Sequence, residues 1–305
     1  MSGLILWSYD ASPFTQKALG MLGVKGLDWR WVETPMMPPK DDLLALTGGY
    51  RGTPVLQAGA DIYIDSQLIA RELERRFPAP TLFPVGGGLE LALVRWSDAF
   101  FRSGLRVVLA LTLPHWPAEF RQDRQHLFPD IDFATVHEDL EHAKSQFRAH
   151  AALLEAQLAD GRGFLGGSGP GLGDIQAYPF VWMARGSFTE LAGQLLDDFP
   201  GLVAWEARMQ AVGEGRRVPV AAAEALAEAR AATSATAPKV DARDAQGLVA
   251  GQLVEVVPDD TRRGAVRGAV VVAAPDEIAV KRSGEAVGEV VVHFPRLGYR
   301  VTPVG

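Results

Sequence analysis

The order of apolar runs and helical patterns in the first 80 residues constrains the fold of this 305-residue chain more than any other feature. Residues 4–8 form a short apolar run typical of a buried strand, and residues 13–23 follow it with helical spacing. A strand, a short helix, a hairpin and a longer helix are predicted next, at 29–33, 41–46, 55–64 and 65–77. This alternation predicts an α/β domain over residues 1–80.

The rest of the chain changes character twice. Residues 86–232 carry helical patterns only, among them helices predicted at 133–158 and 219–232, and therefore predict an all-α bundle. Residues 245–305 contain short Val-rich runs separated by Gly and Pro, which predict a small β-barrel-like domain. The expected fold is therefore multi-domain: α/β, then all-α, then β.

Composition excludes several classes of function. The net charge of −7 argues against nucleic-acid binding. The sequence also contains no apolar tract of about 20 residues, the length that a membrane-spanning helix needs. The N-terminus lacks the basic and apolar regions of a secretion signal, so we expect a soluble cytoplasmic protein. Cysteine is absent, which excludes a nucleophilic thiol and thiolate metal ligands of the protein's own. We expect no metal, and any sulfur chemistry requires a sulfur brought by a ligand.

Ser12 and Pro13 stand at the predicted start of the first helix. Serine is a favoured N-cap and proline is favoured at the first helical position, so capping alone explains this pair. A helix N-terminus also presents unpaired N–H groups and partial positive charge, which lower the pKa of a thiol bound there. Ser12 is therefore a candidate both for capping the helix and for donating a hydrogen bond to a ligand's thiolate.

Three segments together resemble the glutathione-binding half of a cytosolic glutathione S-transferase, with its thioredoxin-like N-terminal domain. They are, in order, Tyr9–Lys17, Gly52–Leu56 and Asp65-Ser66. The run from Ser12 to Thr15 is similar to the Cys-Pro-Phe/Tyr-Cys motif of glutaredoxins and cysteine-type transferases. Hydroxyl residues replace both thiols here, which removes disulfide exchange and keeps the hydrogen-bonding role of serine-type transferases.

The resemblance implies a role for each site residue. Ser12 would hold the glutathione thiolate, with Tyr9 as the alternative. A cis bond between Thr53 and Pro54 would let the Thr53 backbone pair with the cysteinyl residue of glutathione. A strand-initiating trans proline is the structural alternative.

The same resemblance implies how the two ends of glutathione bind. Ser66 would bind the glutamyl α-carboxylate at a helix N-terminus, and Asp65 would face the ammonium group. Both are also ordinary capping residues. Lys40 and Arg51 are candidates for the glycyl carboxylate, with a solvated surface charge as the alternative for each.

Two further groups of residues lie in the helical region. Phe14, Trp96, Phe100 and Trp116 are candidates for an acceptor pocket, although core packing also explains the helix-spaced aromatics. Asp174 occupies the third position of a buried helix, where transferases carry a Ser/Thr-x-x-Asp capping box. Gly171 replaces the hydroxyl residue, so we interpret Asp174 as structural rather than catalytic.

The expected function is conjugation of the glutathione thiolate, with glutathione as co-substrate, to a small electrophile. Two alternatives stay open: a non-catalytic binding or interaction module on a transferase fold, and a glutathione-dependent dehalogenase or isomerase. The resemblance also implies a homodimer. It implies nothing about residues 245–305, which lie outside the two-domain pattern of the family.

Overall fold

The computed structural model describes residues 3–304. The chain forms two compact units: one contains the residues up to 15, 27–72 and those from 216 onward, and the other contains 16–26 and 73–215. The strands are β1 (Leu4–Ser8), β2 (Asp28–Glu33), β3 (Val55–Ala58), β4 (Asp61–Ile64), β5 (Arg216–Pro219), β6 (Lys239–Val240), β7 (Leu253–Pro258), β8 (Val266–Ala273), β9 (Glu277–Gly284), β10 (Gly288–Pro295) and β11 (Tyr299–Pro303). The helices are α1 (Pro13–Val24), α2 (Asp41–Thr47), α3 (Ser66–Arg76), α4 (Gly87–Thr112), α5 (Ala118–Leu127), α6 (Leu140–Leu158), α7 (Leu172–Ser187), α8 (Thr189–Leu196), α9 (Pro200–Val212) and α10 (Ala222–Ala231).

A single sheet runs through the first unit, in the order β11-β7-β8-β9-β10-β4-β3-β1-β2-β5, with β6 paired to β8. The strands β2, β1, β3 and β4 form the thioredoxin-like part, in which β1 is parallel to β2 and antiparallel to β3. Strand β10 continues the sheet by pairing in parallel with β4. The predicted fold class is confirmed, but the sequence did not predict that the C-terminal strands extend the N-terminal sheet.

One hydrophobic core joins the N-terminal and C-terminal parts of this unit. It includes Trp7 and Ile62 from the N-terminal strands and Val292 and Phe294 from β10. On β10, Val290 and Val292 belong to this core, whereas Val291 between them belongs to a second, smaller cluster, so both faces of this strand are buried. The side chains of Trp7 and Gln57 are hydrogen-bonded at 2.8 Å in the same buried region.

The second unit is a helical bundle in which α4 packs against α6 and α7. Asp174 lies at the start of α7 and is fully buried. Its carboxylate accepts hydrogen bonds from the backbone N–H groups of Leu165 and Gly171 and from the indole N–H of Trp205, at 2.8, 3.0 and 2.7 Å. Burial raises the pKa of Asp174, and these hydrogen bonds act against that rise. The hydrogen bond from the N–H of Gly171 to Asp174, the third residue of α7, is the half of the capping box that the sequence retains.

Two predicted helix starts were wrong, and one helix was missed. The helix predicted from residue 133 begins at Leu140, after a 3-10 turn at Val136–Asp139. The helix predicted from Pro219 begins at Ala222, because Arg216–Pro219 is strand β5 and pairs in parallel with β2. The short helix α5 was missed because its charged and polar residues carry little periodic apolar signal.

Gly171 occupies a crowded position, which makes a capping substitution unfavourable. A Cβ atom there would lie 2.7 Å from Cγ of Pro84 and 2.9 Å from Oε1 of the buried Glu90. We expect Gly171→Ser to lower the free energy of unfolding by about 1–3 kcal/mol, although it restores the family's capping hydroxyl, because overpacking outweighs the cap. Urea unfolding measures this change.

Gly169→Ser is the matched control, since no atom lies within 4 Å of a Cβ built at Gly169. We expect this second variant to unfold at the same urea concentration as the wild type. A Gly171→Ser variant that is more stable than the wild type would contradict the steric explanation.

Candidate functional site

The register of three strands brings the three N-terminal motifs to one edge of the sheet. Trp7 on β1 is paired with Val55 on β3, and Val55 is paired with Ile64 on β4. The chain leaves β1 toward Ser12, enters β3 from Pro54 and leaves β4 into Asp65. All three motifs therefore lie at the same end of these neighbouring strands, as the resemblance requires.

Ser12 caps helix α1 and is 3% exposed. Its Oγ accepts a hydrogen bond from the backbone N–H of Thr15 at 3.3 Å, and its own N–H donates to the carbonyl of Tyr9 at 3.2 Å. The capping bond uses a lone pair of the hydroxyl oxygen, so the same group can donate its proton to a bound anion. The capping hydrogen bond itself is therefore compatible with the second predicted role of Ser12.

The bond between Thr53 and Pro54 is cis, as predicted. Pro54 is buried and Thr53 is half-buried, directly before β3 begins at Val55. Because Thr53 precedes the strand, it is not among the residues that pair with β1 or β4. The Thr53 backbone at this edge is the group that we predict to pair with a peptide ligand.

Asp65 has a left-handed backbone conformation, with φ of 76°. Such a φ is uncommon outside glycine but is tolerated by Asp, and it turns the chain sharply from β4 into α3. Oδ1 of Asp65 accepts a hydrogen bond from the N–H of Gln67 at 3.0 Å, which caps α3. Ser66 is the first residue of that helix and is buried. The N-terminus of α3 thus favours an anion at this point.

Lys40 and Arg51 lie beside the same edge. Lys40 is 4% exposed, so it is not a solvated surface charge. Its ammonium donates to the carbonyl of Arg51 at 3.3 Å and lies 5.3 Å from the ring centre of Tyr9. Lys40 thereby connects the loop before β3 with the loop after β1, and places a cation between two segments of the candidate site.

The aromatic residues predicted for the acceptor pocket occupy different surroundings. Phe100 is fully buried, with its ring centre 5.8 Å from that of Trp96 in the helical unit. Trp116 packs against Phe120 and Phe133 in the same unit, with ring centres 4.8 and 6.5 Å away. Phe100 is thus part of the helical core, which favours the packing interpretation for that residue.

Phe14 is the acceptor-pocket candidate that lies in the first unit. The guanidinium of Arg263, from the loop between β7 and β8, lies 5.7 Å from the centre of its ring. Sequence reasoning missed Arg263 and also Tyr299 on β11, whose hydroxyl donates to Oδ2 of Asp65 at 3.3 Å. No local motif marks either residue, because more than 200 residues of sequence separate each from its contact.

Two kinds of feature are absent from the part of the chain that the structure describes. Residues 3–304 contain no cluster of three or more His, Asp or Glu side chains placed to hold a metal ion. Over the same range no helix combines the length and the apolar character needed to cross a bilayer.

Comparison with known proteins identifies the family. The glutathione S-transferase N-terminal domain model matches residues 6–81, and the C-terminal domain model matches residues 137–208. A GST-like protein from Pseudomonas syringae, known from its crystal structure, is 35% identical over 100% of both chains, with a TM-score of 0.81. The chain belongs to the glutathione S-transferase family.

Other members of the glutathione S-transferase family match a smaller part of the chain. A probable glutathione S-transferase, GSTU6 of Oryza sativa subsp. japonica, is 27% identical over 239 residues, which are 74% of this chain and 90% of that protein. The crystal structure of the Tau class enzyme MiGSTU from mango, Mangifera indica, covers 68% of this chain and 89% of its own, at 20% identity and a TM-score of 0.53. This chain therefore adds a segment to the two-domain transferase fold, and the match to the Pseudomonas protein includes that segment.

Proposed function

We propose that this chain is a serine-type glutathione transferase that conjugates glutathione to a small electrophile. Membership of the family supports transferase-type chemistry in general. The observation that carries the specific proposal is the shared register of Trp7, Val55 and Ile64, which gathers Ser12, Thr53-Pro54 and Asp65-Ser66 at one sheet edge. Glutathione would lie extended across that edge, with its glutamyl end at α3 and its sulfur at α1.

Ser12 and the N-terminus of α1 would stabilise the glutathione thiolate. The thiol releases its proton to solvent, and the hydroxyl of Ser12 then donates a hydrogen bond to the sulfur anion. The thiolate forms a carbon–sulfur bond with the electrophile, and the leaving group departs with its electron pair. Lys40 and Arg51 would bind the glycyl carboxylate, and the Thr53 backbone would hold the cysteinyl residue in place.

Calorimetric titration with glutathione, followed by a conjugation assay with 1-chloro-2,4-dinitrobenzene, tests this proposal. We expect saturable binding and an absorbance change from the thioether product. Binding without turnover for this and other electrophile classes would favour the non-catalytic module. A chain that binds no glutathione would contradict both functions.

Dimer formation stays a prediction from the family, and a cytoplasmic location stays a prediction from the sequence. The backbone groups of β4 that face away from β3 are paired with β10 of the same chain. A homodimer therefore cannot form by pairing β4 with a strand of the partner's sheet. Sedimentation measurements give the oligomeric state directly.

A further inference from the structure

The loop between β7 and β8 reaches the candidate glutathione site. The carbonyl of Arg263 in this loop accepts a hydrogen bond from the backbone N–H of Arg51 at 2.7 Å. Its guanidinium lies over the ring of Phe14, two residues after Ser12. A residue of the C-terminal segment thus contacts both the loop before β3 and the first turn of α1.

Close backbone packing fixes the position of this loop. Gly264 has φ of 96°, and a Cβ atom there would lie 2.1 Å from the carbonyl oxygen of Gly49. A Cβ atom at Gly49 would in turn lie 2.4 Å from the carbonyl oxygen of Ala265. Only glycines permit this approach, so Arg263 is held by its backbone as well as by its side chain.

The guanidinium of Arg263 is surrounded by polar groups of both parts of the sheet. Burial alone would lower its pKa, but Tyr50, Asp260, Tyr299 and Asp65 outweigh this and raise it, so the side chain stays charged. Oδ2 of Asp260 is 3.8 Å away. About 18% of the side-chain surface remains exposed.

The carboxylate of Asp65 is already satisfied by groups of the chain itself. Both carboxylate oxygens of Asp65 already accept hydrogen bonds within the chain, Oδ1 from Gln67 and Oδ2 from Tyr299. The positive end of the α3 dipole lies at the Asp65 carboxylate, and Arg263, which is also paired with Asp260, interacts electrostatically with that carboxylate. A planar guanidinium suits a ligand carboxylate, with which it forms paired hydrogen bonds.

We propose that Arg263 binds the α-carboxylate at the glutamyl end of glutathione, so that the C-terminal segment is part of the binding site. This inference rests on the proposed function. It deepens that function by assigning the ligand class: γ-glutamyl thiols with a free α-carboxylate. Tyr299 has a positioning role, since its hydroxyl donates a hydrogen bond to the Asp65 carboxylate.

The test compares two protein variants with two ligands by calorimetric titration. The ligands are glutathione and its analogue in which the glutamyl α-carboxylate is an amide. We expect Arg263→Gln to weaken glutathione binding about tenfold or more, and to reduce the wild-type preference for glutathione over the amide by a similar factor. The matched control is Arg262→Gln, which changes the exposed neighbour in the same loop and should leave both dissociation constants unchanged.

Two results would overturn the proposal. One is an Arg263→Gln variant that binds glutathione as the wild type does. The other is a loss of equal size for both ligands, which indicates a structural role only. If Arg263→Gln does not fold, Arg263→Lys replaces it in the test. Lysine keeps the positive charge but lacks the planar guanidinium, so this variant should show part of the same selective loss of glutathione binding. A wild type that binds no glutathione would instead refute the proposed function, and this inference with it.

Discussion

Replacing Ser12 with alanine is expected to lower the conjugation rate at pH 7 by about 10- to 100-fold, the range for losing one hydrogen bond to a charged group. The hydroxyl caps α1 through the N–H of Thr15 and, in the proposed function, donates to the glutathione thiolate. Without that donor the pKa of the bound thiol rises, so less thiolate is present at neutral pH. Rates measured from pH 6 to 9 should show the deficit shrinking as the thiol ionises unaided.

Two variants separate this effect from damage to the helix. Ser12→Thr keeps a hydroxyl at the cap and should retain most of the activity. Thr15→Val removes a neighbouring buried hydroxyl that has no hydrogen-bond partner among the described residues, and should leave the pH profile in place. Tyr9→Phe tests the alternative donor. An Ser12→Ala enzyme with the wild-type pH profile would exclude Ser12 from the mechanism.

The second large effect is expected at Asp61, on strand β4, where the C-terminal segment joins the N-terminal sheet. Its carboxylate accepts hydrogen bonds from the hydroxyls of Ser234 and Thr236, from the N–H of Ala235 at 3.0 Å, and from Nε2 of His293 at 3.3 Å. We expect Asp61→Asn to lower the free energy of unfolding by about 3–5 kcal/mol, because it removes one partner of a buried charge pair. Urea unfolding at pH 6 measures the loss.

Hydrogen exchange locates this loss within the sheet. Strand β10 is paired with β4 through the backbone, so its amides should exchange faster in Asp61→Asn than in the wild type. Asp276→Asn is the matched control, because Asp276 forms an exposed ion pair with Arg71 between the same two parts of the unit and should change stability little. Equal effects of the two substitutions would contradict a special role for Asp61.

The His293 cluster also predicts how stability depends on pH. Burial lowers the pKa of His293, but its hydrogen bonds with Asp61 and with Glu277, the latter at 2.6 Å, outweigh burial and raise it above 6.5. This stabilisation is complete below about pH 6.5 and is lost as the pH rises through the raised value.

Asp61 determines how the stability of the same cluster changes at low pH. Burial raises its pKa, and hydrogen bonds led by that of His293 lower it from 3.8 to about 2, so its contribution is lost on acidification. We expect the cluster to stabilise most between about pH 4 and 6.5. The difference in unfolding free energy between wild type and His293→Gln should therefore be larger at pH 6 than at pH 9. A difference independent of pH would contradict a charged His293.

Much of the N-terminal half could be predicted from local patterns. The strand runs, the hairpin and the caps at Ser12 and Asp65 depend on neighbours within a few residues, and the sequence shows them directly. The C-terminal valine runs likewise predicted strands. The partners of those strands could not be predicted, because any exposed strand edge offers the same backbone donors and acceptors.

The amino-acid sequence by itself determined the family, the order of elements and the three segments that resemble glutathione-binding motifs, since these depend on short spacings and on residue types. Only the tertiary structure decided that β10 joins β4, that Lys40 is buried, that Tyr299 reaches Asp65 and that Arg263 reaches Phe14. Those contacts arise between residues distant in the chain. Their energies come from burial and from charge pairing in three dimensions, which no local pattern encodes.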